Sequence, residues 1–234
     1  MTERPTVMAV DVIETMFSLE PLRDRLAAVG QPAHLLELWF TRVLRDGFAL
    51  AASGGYQPFA RLADEALAAV SSGVLTPEER DTVLTGIGEL PAHPDVLPAL
   101  RLAHDSGMRV LALTNGAAAT TQALLERARL ERYVWRVVSV DEVRRFKPAP
   151  EVYHHAVRVG GATPQRTALV AAHAWDVHGA HHAGLATGWV NRAKAPMSEV
   201  FAVPDVCTSG LDEAVARLLG RPGPAQARAG VENR

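Results

Sequence analysis

The chain has 234 residues, 48% hydrophobic and 21% charged, enough to bury a sizeable core as one domain with a large insertion or as two lobes. Its 24 basic and 26 acidic residues are interspersed and leave a formal net charge of -2, so no charged face attracts nucleic acid or an anionic membrane, and small-molecule chemistry is the expected class. Cys207 is the only cysteine, which excludes an internal disulfide and a thiolate-rich zinc site; no apolar run is long enough to span a membrane, "MTERPTVMAV" lacks signal-peptide regions, and a cytoplasmic location is expected.

The first element is "TVMAV", Thr6 to Val10, a β-branched apolar run that predicts a strand buried on both faces. From about Leu19 to Pro94 the pattern turns helical. Leu35, Trp39 and Val43 are four apart, as are Phe40, Leu44 and Phe48, which predicts one long helix; Trp39 and Phe48 are expected in its own core. "GGYQPF" breaks it, and further helices are expected over Phe59 to Val70 and Pro77 to Gly86, the second opening on the capping pattern Thr76-Pro77-Glu78-Glu79. Strand patterns return at Met108 to Thr114, Trp135 to Val140, Thr167 to Ala172 and Ala186 to Val190, each separated from the next by a helical pattern. The alternation predicts an α/β fold with a doubly wound, Rossmann-like parallel sheet over residues 1–18 and 95–220, and an inserted helical cap over 19–94. The Gly-, Pro- and Ala-rich stretch over 221–234 is expected to be disordered.

Ligands of open α/β sheets bind beyond the carboxyl ends of the strands, so the residues that close each strand are the candidates for chemistry. They are Asp11 with Thr15 four later; Thr114, Asn115 and Gly116; and His173, Trp175 and Asp176 in "AAHAWD". "RRFKPAPEVY" adds Lys147 ahead of a helix starting near Pro150. A nucleophilic carboxylate, a hydroxyl, an amide, a lysine and a second carboxylate would converge there. Taken singly, an Asp after an apolar strand is more often an Asx-turn or helix cap than a nucleophile and a lone lysine more often a solvated surface charge than an active-site group, while Asn115 reads equally as a turn organiser or a substrate contact. His154, His155, His181 and His182 fall on helical patterns and are expected at the surface, while His178 reads either way.

The order Asp11, Thr114-Asn115, Lys147-Pro148, Asp176 resembles the haloacid dehalogenase superfamily, with the helical insert standing where its cap stands. "FKPAPEVY", "LTNG" and "AWD" followed by "GA" one residue later resemble its type II 2-haloacid dehalogenase branch, and the likeness runs from about Val7 to Leu219. It implies that Asp11 displaces halide to form an ester, that Lys147 keeps Asp11 ionised, that Thr15, Thr114 and Asn115 bind substrate or Asp11, and that Asp176 anchors Lys147 or positions water. It also implies pocket roles for Phe59, Tyr153 and Trp175, and a homodimer. In the superfamily's phosphatases the second residue after the nucleophile is an acid that protonates the leaving alkoxide; here it is Ile13, and a halide needs no proton. An acidic residue those phosphatases use for magnesium falls at Ala171, so metal-independent chemistry without a cofactor is expected, with magnesium only if the chain is a phosphatase after all.

Several positions depart from the type II pattern. A cap arginine held to assist halide departure falls at about Phe40, with Arg42 and Arg45 close by; a glycine falls at Glu14; a serine and an asparagine fall at Ala171 and His173. His173 is open between a neutral hydrogen-bonding substitute, a base for ester hydrolysis and a structural role. Three functions follow: a dehalogenase-like hydrolase, a phosphatase with a different acid, and a non-catalytic binding protein on the same scaffold.

Overall fold

The structure, a computed structural model, describes residues 4–221; residues 222–234 of the expected tail lie outside the described residues. Six parallel strands pair in the order β3-β2-β1-β4-β5-β6: β1 (Val7–Asp11), β2 (Arg109–Thr114), β3 (Arg136–Ser139), β4 (Thr167–Ala171), β5 (Ala186–Val190) and β6 (Val206–Thr208). The helices alternating with them are α5 (Val96–Asp105), α6 (Ala118–Arg127), α7 (Pro150–Gly160), α8 (Ala174–His182) and α9 (Leu211–Leu218). This is the expected doubly wound sheet, with one strand more. β6 is three residues long and half-exposed at the sheet edge, too short to carry a period-2 pattern.

The two faces of β1 follow its alternation. Met8 and Val10 point into one apolar cluster, which also receives α5, α9 and the cap; Val7 and Ala9 point into the other, built with α7 and α8. Asp11 shares its parity with Val7 and Ala9. Its carboxylate therefore leans toward the side of the sheet from which α7 and α8 send their polar residues. β1 lies between β2 and β4, where the strand order reverses and a crevice opens at the carboxyl ends.

Between β1 and α5 stand α1 (Leu22–Ala28), α2 (Leu35–Ala52), α3 (Phe59–Val70), α4 (Pro77–Leu84) and a 3-10 turn (Thr85–Glu89). α4 opens on the Thr76–Glu79 capping box, each side chain bonded to the other's backbone N–H. It ends two residues before the expected Gly86, and the chain continues as the 3-10 turn, where a Cβ at Gly86 would come within 2.5 Å of the Arg25 side chain. Trp39 is buried in the cap and donates its indole N–H to Ala63 O at 2.9 Å, as its core reading required. The chain enters and leaves the cap through paired linkers. Phe17 bridges Ala92, Ser18 N donates to Pro91 O at 3.0 Å, and His93 N donates to Met16 O at 2.9 Å. Among the described residues no helix is long and apolar enough to cross a membrane.

Candidate active site

Lys147 is the centre of a buried ionic triad. Its side chain is fully buried, and Nζ lies 2.8 Å from Asp11 Oδ1 and 2.8 Å from Asp176 Oδ2. Asp11 ends β1, Asp176 stands in the first turn of α8, and Lys147 comes from the loop ahead of α7, so three separate segments converge on one ammonium. Burial would raise the Asp11 carboxyl, but the Lys147 charge, His173, and hydrogen bonds from Lys147 and Thr15 outweigh it and hold Asp11 below its ordinary value. Burial would lower Lys147, and the two carboxylates raise it instead. Asp176 goes the other way, raised by burial and by the Asp11 charge against the pull of Lys147. The triad keeps Asp11 as its anion.

The second oxygen of Asp11 is also positioned. Thr15 Oγ1 accepts from Ala172 N at 2.8 Å, which turns its own proton toward Asp11 Oδ2 at 2.7 Å. Arg192 holds that loop from behind, donating to Thr15 O at 2.8 Å while paired with Asp95 at 2.8 Å. Asn115 Oδ1 accepts the backbone N–H of Lys147 at 3.0 Å, so its remaining hydrogen-bonding group is the NH2. Thr114 Oγ1 accepts from Gly116 N at 2.9 Å and shapes the turn after β2.

Above Asp11 is a pocket of about 20 Å³, with walls of Ile13, Phe40, Leu44 and Phe59 and a rim formed by Thr114, Asn115, His173 and Trp175. Phe40 and Leu44 are one helical turn apart on α2, which carries the cap's apolar face over the nucleophile. His173 sits between two rings, stacked on Trp175 at 5.3 Å and 16° and tilted against Phe40 at 5.8 Å. Its Nε2 is 3.2 Å from Ile13 O and 3.9 Å from Asp11 Oδ2. A carbonyl only accepts, so Nε2 carries the proton, and in the neutral ring Nδ1 is the acceptor.

Thus Asp11, Ile13, Thr114, Asn115, Phe40, Phe59, His173 and Trp175 line one pocket, and Thr15, Lys147 and Asp176 hold Asp11 from beneath it. Two candidate pocket residues lie elsewhere. Tyr153 is wholly buried and donates to Asp176 Oδ1 at 2.6 Å, with its phenol raised well above its usual value by burial and by that carboxylate; it supports the triad and does not line the pocket above Asp11. Arg42 lies two residues past Phe40, roughly 200° around α2, and stands 4.0 Å from Asp46 outside the pocket.

Phe48 is not simply cap core: it meets the edge of Trp175 at 5.0 Å, joining the cap to α8. Of the remaining histidines, His154, His181 and His182 are exposed, His155 bonds Glu142 at 3.0 Å, and His178 accepts from Ala202 N at 3.0 Å, away from the pocket. Sequence reasoning placed Leu44 in the helix face but not in the pocket, although its spacing from Phe40 carried the signal. It also missed the backbone of Ala172 and the brace from Arg192. Among the described residues no group of three or more His, Cys, Asp or Glu is placed to hold a metal ion.

A family model described as haloacid dehalogenase-like hydrolase matches residues 19–184. The (S)-2-haloacid dehalogenase 4A of Burkholderia cepacia is 32% identical over 178 residues, covering 74% of this chain and 77% of the relative. The (S)-2-haloacid dehalogenase of Pseudomonas sp. strain YL is 26% identical over 224 residues, 94% of this chain and 97% of the relative. A dehalogenase crystal structure superposes with a TM-score of 0.86 at 27% identity, covering 94% of this chain and 100% of that one. With the Asp11–Lys147–Asp176 triad at the head of its sheet, the chain belongs to the haloacid dehalogenase-like hydrolases, in their L-2-haloacid dehalogenase branch.

Proposed function

We propose that the chain hydrolyses the carbon–halogen bond of 2-haloacids through an aspartyl ester on Asp11. The observation that carries the reading is a carboxylate held ionised by a buried lysine and aimed into a small, mostly apolar pocket. An Asp11 oxygen attacks C2, and the C–X bond breaks with its electron pair leaving as halide. Water then attacks the Asp11 carboxyl carbon, the acyl–oxygen bond breaks, one water proton goes to the departing alkoxide and the other to solvent, and the 2-hydroxyacid leaves with an oxygen that had belonged to Asp11. Displacement from behind inverts C2. The (S) configuration in the relatives' names is carried over as the substrate's hand, giving an (R)-2-hydroxyacid.

Lys147 and Thr15 orient the nucleophile; the Asn115 NH2 is the rim donor able to meet a carboxylate or a departing halide, and the Nε2–H of His173 reaches one only by sharing its bond to Ile13 O. Since Nε2 of His173 is already a donor, the geometry favours the hydrogen-bonding role over the base at that nitrogen. The Lys147 ammonium, 2.8 Å from each carboxylate, occupies the place between Asp11 and Asp176 that a cation would neutralise, and Ala171 adds no further ligand, so the proposed chemistry needs no metal. A cytoplasmic location and a homodimer complete the proposal, the second read by light scattering of the purified chain.

The test is halide release from 2-bromopropanoate. Asp11→Asn abolishes it, while Lys147 stays paired with Asp176 and the protein stays folded. In a single turnover in heavy-oxygen water, the first product carries ordinary oxygen from Asp11. Heavy oxygen in that first product would replace the ester mechanism with direct attack by water.

A further inference from the structure

The pocket above Asp11 has room for about one water-sized group. Beside it, sharing Ile13, Phe59, Thr114 and Gly116, opens a second cavity of about 640 Å³ between the cap and α6. That volume falls in the ~300–1,000 Å³ range of small-molecule sites. Its far walls include Ala63 of α3, Leu84 of α4, Ile87 of the 3-10 turn and Leu124 of α6. Its charged groups are largely committed to other protein groups. Arg80 pairs with Asp64 at 2.6 Å and donates to Leu75 O at 3.0 Å, and Asp141 accepts from Tyr56. Asp81, exposed on α4, adds another negative charge to the lining. With three carboxylates against one arginine, the lining repels a second anionic group.

Resting on the dehalogenase reading above, we infer that the preferred substrate is a 2-haloacid whose C2 substituent is a long apolar chain, with C2 at Asp11 and the chain passing between Ile13 and Phe59 into the larger cavity. The small pocket admits little more than the halogen on C2, and the chain supplies the binding. A two- or three-carbon haloacid leaves that cavity to water and binds weakly. A tail ending in a carboxylate is rejected.

The test is a chain-length series of 2-bromopropanoate, 2-bromohexanoate and 2-bromodecanoate, kept below micelle formation. Specificity, as kcat/KM for halide release, rises about fourfold per added methylene over the first several carbons. Ala60→Trp and Thr120→Trp place bulk in the larger cavity at residues that do not line the small one. Each lowers the decanoate-to-propanoate ratio of kcat/KM at least tenfold. Release of halide from 2-bromopropanoate with no gain along the series, or an unchanged ratio in both variants, overturns the inference and leaves the dehalogenase reading standing. If no 2-haloacid releases halide, that reading fails, and binding decides the cavity separately through the tryptophan fluorescence change on adding decanoate or propanoate. Decanoate binding at least a hundredfold tighter than propanoate, and weakened by Ala60→Trp, supports the apolar-chain site; equal affinities overturn it.

Discussion

At the scale of single residues, Lys147 joins stability and catalysis. Removing the one cation of this network leaves two buried carboxylates uncompensated, and breaking a buried pair in that way typically costs about 3–5 kcal/mol. Lys147→Met is expected both to lower the melting temperature by several degrees and to abolish halide release, because two buried carboxylates then face each other. The pH dependence has a definite sign. The Asp11 value is lowered, so its contribution is present above the ordinary carboxylate range and lost as pH falls through the folded value. Lys147 is raised, so its contribution is full below the ordinary lysine value and lost as pH rises through the folded one. Asp176, raised, opposes Asp11 on the acid side. Halide release, which needs Asp11 charged beside charged Lys147, is expected to be level from about pH 5 to about pH 10. An inflection inside that plateau that vanishes in His173→Ala would move proton transfer onto His173, whereas a level profile with reduced kcat in His173→Ala assigns it the donor role.

Glu14 shows what the sequence left open at this scale. It stands where the resemblance places a glycine, and its φ of 65° explains that glycine, since a left-handed backbone costs other residues roughly 1–2 kcal/mol. Its side chain offsets the strain by accepting Leu19 N at 2.6 Å, a contact five residues away that no motif announces.

At the scale of elements, close approach decides what the helices can be. A glycine inside a helix costs about 1 kcal/mol relative to alanine, yet Gly47 sits in α2 because an added Cβ would come within 2.8 Å of the Phe146 ring, the residue before Lys147. Gly179 does the same in α8, where a Cβ would lie 2.6 Å from Tyr153 Oη and displace it from Asp176. Gly47→Ala is therefore expected to lower stability by about 1–3 kcal/mol despite its better helix propensity, and to slow halide release, measured by thermal unfolding and by turnover on the same preparation. A higher melting temperature would mean that Phe146 yields without disturbing Lys147. The long helix and α3 were legible as 3.6-residue periods, but which cap residue touches the sheet domain was not. Phe40 and Phe48 share a stripe with Leu44, and nothing in that stripe says that its rings meet His173 and Trp175.

At the scale of the whole molecule, the alternation of apolar runs with helical patterns specified the sheet, because strands buried on both faces are nearly pure apolar sequence. The site was legible as a set of strand ends for the same reason. Polar residues stand out where such runs stop. What escaped were relations set by distant packing: Tyr153 reads as a pocket aromatic but turns inward to Asp176, and Arg192 braces Thr15 across 177 positions of sequence.

The paired linkers around Phe17 and Ala92 have a mechanical consequence. A lid on two independent tethers could slide or twist; here the tethers are stitched into one short ribbon, which acts as a hinge and leaves the lid a swing as its easiest movement. That swing must part Phe40 and Phe48 from His173 and Trp175. Opening the door for substrate thus takes the Phe40 ring off the imidazole beside Asp11 while its stack on Trp175 is kept, and shutting it restores the pocket wall.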